Sequence, residues 1–124
     1  MRVFMFENHG SVTLIDLDDG LGRVRGNKKL FVRMLGLFMD STEFAALEEA
    51  LGQGDIAKIE HSAHTIKGIA GNLSLTALFN VSTELMQQAR NGATQQATID
   101  EYRATLEATK GRVTEVIAQM SAEV

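Results

Sequence analysis

Asp55-Ile56-Ala57-Lys58-Ile59-Glu60-His61-Ser62-Ala63-His64-Thr65-Ile66-Lys67-Gly68-Ile69-Ala70-Gly71-Asn72-Leu73 is the stretch whose spacing decides the fold. Its apolar positions Ile56, Ile59, Ala63, Ile66, Ala70 and Leu73 recur at steps of three and four, which is one buried face of an α-helix. Asp55 suits the N-cap, because a short carboxylate there accepts from a backbone N–H that the first turn leaves unpaired.

The neighbouring segments repeat the pattern. Downstream, Ser74 reads as another cap, followed by Leu75, Leu78, Val81 or Ser82, Leu85 and Ala89, with a stop at Asn91-Gly92. The last helix opens near Thr94 or Thr98; Ile99, Tyr102, Leu106, Val113, Val116 and Met120 line it, with Thr109 filling one turn. Upstream, Leu30, Met34, Leu37, Phe44, Leu47 and Leu51 form a stripe between the cap Asn27 and the stop Gly52-Gln53-Gly54. A shorter helix starts near Asp16, where Asp16, Asp18 and Asp19 suit the positive end of the helix dipole and Leu17 and Leu21 form the buried pair.

The chain has 124 residues and no proline, so nothing interrupts long helices. The spacing predicts helices over 28–51, 55–71, 75–90 and 95–122, a short one before 26, and no strand. Four amphipathic segments on short loops bury their stripes as an all-α, antiparallel up-down-up-down four-helix bundle. Residues 1–12 read as a loose, flexible N-terminal arm and residues 13–124 as the bundle domain.

Twelve basic against sixteen acidic residues give a net charge of -4, which excludes nucleic acid and anionic membrane as main partners. Cysteine is absent, so disulfides and thiolate chemistry are excluded and a reducing cytoplasm is permitted. No apolar run approaches the ~20 residues of a membrane helix. Met1 to Asn8 lacks the apolar core of a signal peptide, and Met1 with its short arm favours a free-standing protein.

A bundle alone implies no function. The positions that break helix rules without a packing reason are His64, Lys67, Gly68 and Gly71, which form a second row beside the apolar face, with His61 one turn earlier. Glycine inside a helix costs about 1 kcal/mol relative to alanine, yet two glycines flank this row, where a bare strip gives a macromolecule access to the imidazole. Lys67, one turn from His64, is the only formal charge between Glu60 and Glu84, so an incoming phosphate meets a cation and no carboxylate. The ordinary alternatives are a helix end at Gly71-Asn72, a solvated lysine and a hydrogen-bonded core histidine, but the His64 row is not the core row. A metal site through His61-x-x-His64 lacks further ligands for a tetrahedron, so no metal is expected. A nucleophilic imidazole remains.

His64-Thr65-Ile66-Lys67-Gly68-Ile69-Ala70-Gly71-Asn72-Leu73 resembles the signature of histidine-containing phosphotransfer (HPt) domains, in which His-x-x-Lys-Gly is followed by a small residue, Asn and Leu. Ile15-Asp16-Leu17 and Gly20 to Val24 resemble the family's lead-in helix, Leu30 to Phe38 its first bundle helix, and Glu84-Leu85 with Ala89-Arg90 the helix after the histidine. The resemblance spans residues 14–120, and only the histidine motif in it is specific. It implies a four-helix bundle with an exposed phospho-acceptor histidine midway along the second bundle helix. It also implies a cytoplasmic, monomeric phosphoryl carrier of a two-component phosphorelay, with no ATP site, no kinase activity and no cofactor of its own. Such a domain takes phosphate from the aspartyl phosphate of one receiver domain, including that of a hybrid histidine kinase, and passes it to the aspartate of another, with magnesium bound by the receiver. Carried over, His64 is the phospho-acceptor, Lys67 the phosphate-stabilising cation and Gly68 the clearance residue, with Gly71 extending the bare strip. The alternative is a receiver-binding helical adaptor that accepts no phosphate. Some members place a glutamine on the following helix to hold the imidazole; the aligned position here is Met86, beside Gln87 and Gln88, which leaves the orientation of the His64 ring open.

Overall fold

The structure is a computed structural model that describes residues 4–5, 8–9 and 12–123. Among the described residues six helices follow one another: α1 (Leu17–Arg23), α2 (Lys28–Met39), α3 (Glu43–Gln53), α4 (Ile56–Asn72), α5 (Thr76–Arg90) and α6 (Gln96–Ser121). α3 packs on α4, α4 on α5, α5 on α6, and α6 returns to α2. The antiparallel four-helix bundle is therefore present, with α2 and α3 together forming its first leg and α1 as the short extra helix.

Residues 28–122 hold no strand, as the spacing predicts, and three short strands precede α1. β1 (Phe4–Met5), β2 (Asn8–His9) and β3 (Val12–Thr13) pair antiparallel in that order, Phe4 opposite His9 and Asn8 opposite Thr13. Two-residue strands are too short to leave an alternating pattern. The loose arm expected over 1–12 falls largely on residues outside those described.

The first leg departs further. The expected single helix over 28–51 is broken at Asp40–Thr42, where the Ser41 hydroxyl accepts from the Glu43 N–H at 3.2 Å. On one straight helix six residues advance about 600°, which leaves Phe44 about 120° round from Phe38. The elbow removes that mismatch, and the two rings meet edge to face with centroids 5.2 Å apart. The buried face of α2 is accordingly Phe31, Leu35 and Phe38 rather than Leu30, Met34 and Leu37, and Leu37 is 66% exposed.

Side-chain caps open three of the six helices. Asp16, Asn27 and Asp55 accept from the N–H groups of Asp19, Leu30 and Lys58 at 3.1, 3.0 and 3.2 Å. Ser74 is not the expected cap of α5. It adopts a left-handed conformation (φ 58°) in the α4–α5 turn, its hydroxyl donates to the Asp19 carboxylate at 2.5 Å, and its carbonyl accepts from the Asp16 N–H at 2.9 Å. This bond from Ser74, and then Arg23, holds the Asp19 carboxyl below the usual carboxylate range. Gly20 allows α1 to lie this close, since a Cβ there would stand 2.8 Å from the Phe31 ring.

α6 turns a largely hydroxylated face inward: Thr98, Tyr102, Thr105 and Thr109 precede Val113, Val116 and Met120, while Ile99 and Leu106 are only half-buried. The Tyr102 hydroxyl has no hydrogen-bond partner among the described residues. Burial, reinforced by the Glu48 carboxylate, pushes its pKa well above the ordinary phenol value. The folded state thus keeps this proton where the unfolded chain loses it, so the stabilisation is complete below pH ~10 and declines as pH rises further. Tyr102 is the chain's only tyrosine. Unfolding free energy measured by denaturant titration should fall more steeply above pH ~10 in the native protein than in Tyr102→Phe, by up to about 1.4 kcal/mol per pH unit. Equal slopes would mean the phenol ionises as easily folded as unfolded.

Candidate functional site

The rotation of α4 is set by Ile59, Ser62, Ala63, Ile66 and Ala70, all buried. Four of these, Ile59, Ala63, Ile66 and Ala70, are apolar positions of the expected stripe, at steps of four, three and four. That rotation leaves His61, His64 and Gly68 exposed, with Lys67 and Gly71 half-buried along the same side. The structure thus brings His64, Lys67, Gly68 and Gly71 together on one row of a single helix.

The two glycines differ. A Cβ on Gly68 would meet nothing within 4 Å, so the surface beside His64 is open there. A Cβ on Gly71 would come within 3.2 and 3.3 Å of the Phe79 ring, so Gly71 makes room for a side chain of α5 inside the protein. The expected clearance for a partner therefore has an internal explanation at Gly71 and none at Gly68.

The same Phe79 ring lies beneath Lys67, whose Nζ is 5.7 Å from the ring centroid, within cation–π range. This contact holds the lysine stem along the α4–α5 seam, one helical turn from His64. Beside the imidazole stands Met86, buried on α5, with its Sδ 3.4 Å from His64 Nδ1. Gln87 is exposed. Gln88 donates to Thr98 Oγ1 at 2.8 Å and accepts from the Gln95 N–H at 2.9 Å, so its amide is engaged at the start of α6.

Carboxylates near this row are few. Glu60, one turn before His64, is paired with Arg90 at 2.8 Å. His61 sits in a shallow groove of about 440 Å³ between α3 and α4, along with Glu43 and Glu49. Among the described residues no group of three His, Asp or Glu side chains is arranged to hold a metal ion, and no helix is long and apolar enough to cross a membrane.

Sequence reasoning missed Phe79 as a support and left Met86 without a role. The signal for both was present: Phe79 and Met86 are seven residues, two helical turns, apart on α5 and so share a face. An exposed imidazole with a cation one turn away and an open surface beside it is suited to nucleophilic attack on an anionic phosphorus centre.

The family model of the Hpt domain matches residues 33–120, more than half of the chain, beginning within α2 and ending within α6. No curated protein and no solved structure matches the chain.

Alanine substitution separates the two glycines. Gly68→Ala should raise stability by about 0.5–1 kcal/mol, because helix propensity improves and the methyl meets open space. Gly71→Ala should gain nothing or lose stability, because Phe79 must shift. Equal increases in thermal melting would contradict the packing role of Gly71.

Proposed function

Because this chain belongs to the Hpt domain family, whose members serve histidine phosphotransfer in phosphorelays, we propose that His64 carries the phosphoryl group between receiver domains. The observation that carries this reading is the exposed imidazole at the head of a row formed with Lys67 and Gly68 on α4. The donor is the aspartyl phosphate of one receiver, and the acceptor is the aspartate of a second. A nitrogen lone pair of His64 attacks phosphorus, the bond to the aspartyl oxygen breaks, and the carboxylate leaves with its electron pair; delivery runs the same steps in reverse on the other receiver.

Lys67 supplies a positive charge near the transferred group, where charge spreads over the non-bridging oxygens in the transition state. Gly68 leaves space for the receiver's acidic pocket to close over the ring. Magnesium belongs to the receiver side, and the carrier needs neither a nucleotide nor a kinase activity of its own. A cytoplasmic monomer meeting each receiver in turn fits this role.

Incubation with a phosphorylated receiver domain, followed by detection of acid-labile phosphate on this chain, tests the proposal. His64→Gln should abolish uptake while helicity is retained and stability changes by no more than about 0.5 kcal/mol, as for a surface position. His61→Ala should keep most uptake. Lys67→Ala should slow transfer by at most about 10²–10³-fold with only a modest loss of receiver binding. Receiver binding without any phosphate on the native chain would instead identify a docking adaptor.

A further inference from the structure

Met86 is 4% exposed, and its Sδ lies 3.4 Å from His64 Nδ1 across the α4–α5 seam. A thioether has lone pairs and no proton, so it accepts a hydrogen bond and never donates one. The contact is therefore bonding only when Nδ1 carries the proton, and in a neutral imidazole the free lone pair is then on Nε2. With Nδ1 turned toward the buried sulfur, the opposite edge of this exposed ring faces outward.

We propose that Met86 is a positioning residue for phosphotransfer: its sulfur holds the His64 ring in the Nδ1–H tautomer and presents the Nε2 lone pair to the incoming phosphorus. The inference rests on His64 being the phospho-acceptor. An unconstrained imidazole in water prefers the other tautomer, in which the proton blocks the outward edge, so an acceptor at Nδ1 has a preference to overturn. Among the described residues the sulfur is the group bonded to the ring, and the amide of Gln88 is bonded to Thr98 and Gln95.

The sulfur also matters as transfer proceeds. Nε2 gives its lone pair to phosphorus, the phosphorus–oxygen bond to the receiver's aspartate breaks, and the carboxylate departs with that electron pair. The ring gains a positive charge and Nδ1 keeps its proton. Its N–H becomes a stronger donor, facing a polarisable sulfur, so the contact strengthens as the bond forms.

Met86→Leu keeps the volume and apolarity of the side chain, a swap that cores tolerate, and removes only the acceptor. In ¹⁵N-histidine-labelled protein, two-bond proton–nitrogen correlations report the tautomer of neutral His64. The native ring should be mainly Nδ1–H. Met86→Leu should move the tautomer ratio about fivefold toward Nε2–H, the worth of one modest hydrogen bond. Phosphate uptake at saturating receiver should slow in proportion to the loss of the Nδ1–H fraction, while melting temperature and receiver affinity stay unchanged. An unchanged ratio in Met86→Leu overturns the proposal, as does a shifted ratio with an unaltered rate. The tautomer is read without phosphate, so failure here differs from failure of the carrier role, which shows as His64→Gln still accepting phosphate.

Discussion

Burial of Ile59, Ala63, Ile66 and Ala70 fixes how α4 is turned about its own axis, and the exposed chemistry of the protein follows from that turn. Each of the two isoleucines is worth about 2 kcal/mol in the core. Rotating α4 by one residue, about 100°, would expose them and swing His64 into the seam. The imidazole stays outward because the opposite face has too much apolar surface to give up. Small residues complete the arrangement: alanines at two of the four core positions bring α3 and α5 close to α4, so side chains of α5 can reach the edge of the exposed row.

That reach depends on register. Moving along α4 from Glu60 to His64 to Gly71 retraces α5 from Arg90 to Met86 to Phe79, four residues against four and then seven against seven. The two antiparallel helices are thus meshed turn for turn. One ion pair, one sulfur–imidazole contact and one ring–backbone contact are placed by a single alignment. α4 supplies the reactive groups, and α5 supplies what holds them.

Much of this was legible in the sequence because it is local. The α4 stripe, the caps Asn27 and Asp55 and the common side of His64, Lys67 and Gly68 are all set by spacing within one helix. The parts that were not legible depend on contacts between helices. The break at Asp40–Thr42 contains neither glycine nor proline, and the meeting of Phe38 with Phe44 across it depends on packing between segments. Leu37 fits the expected period but lies on the side the elbow turns to solvent. A single-stripe template also misses a helix packed on two sides, as α5 is against α4 and α6, which hid the burial of Met86. On α6 the inward positions Thr98 and Thr105 are hydroxylated and left no apolar mark. Gly71 looked like a bare surface because the ring that fills the space comes from α5.

The turn between α4 and α5 is the gauge of that meshing. One residue more or less in Leu73–Leu75 would slide α5 by about 1.5 Å and twist it by about 100° relative to α4, unhooking Met86 and Phe79 at once. Ser74 holds this turn in a left-handed conformation that costs an L-residue about 1 kcal/mol, and its two polar bonds run to Asp16 and Asp19 at the start of α1. The short helix that looks like a decoration on the bundle is therefore a clip on its timing. A fragment cut at the start of α2 would keep every residue of the reactive row, yet it would lose the part that keeps the two central helices in step.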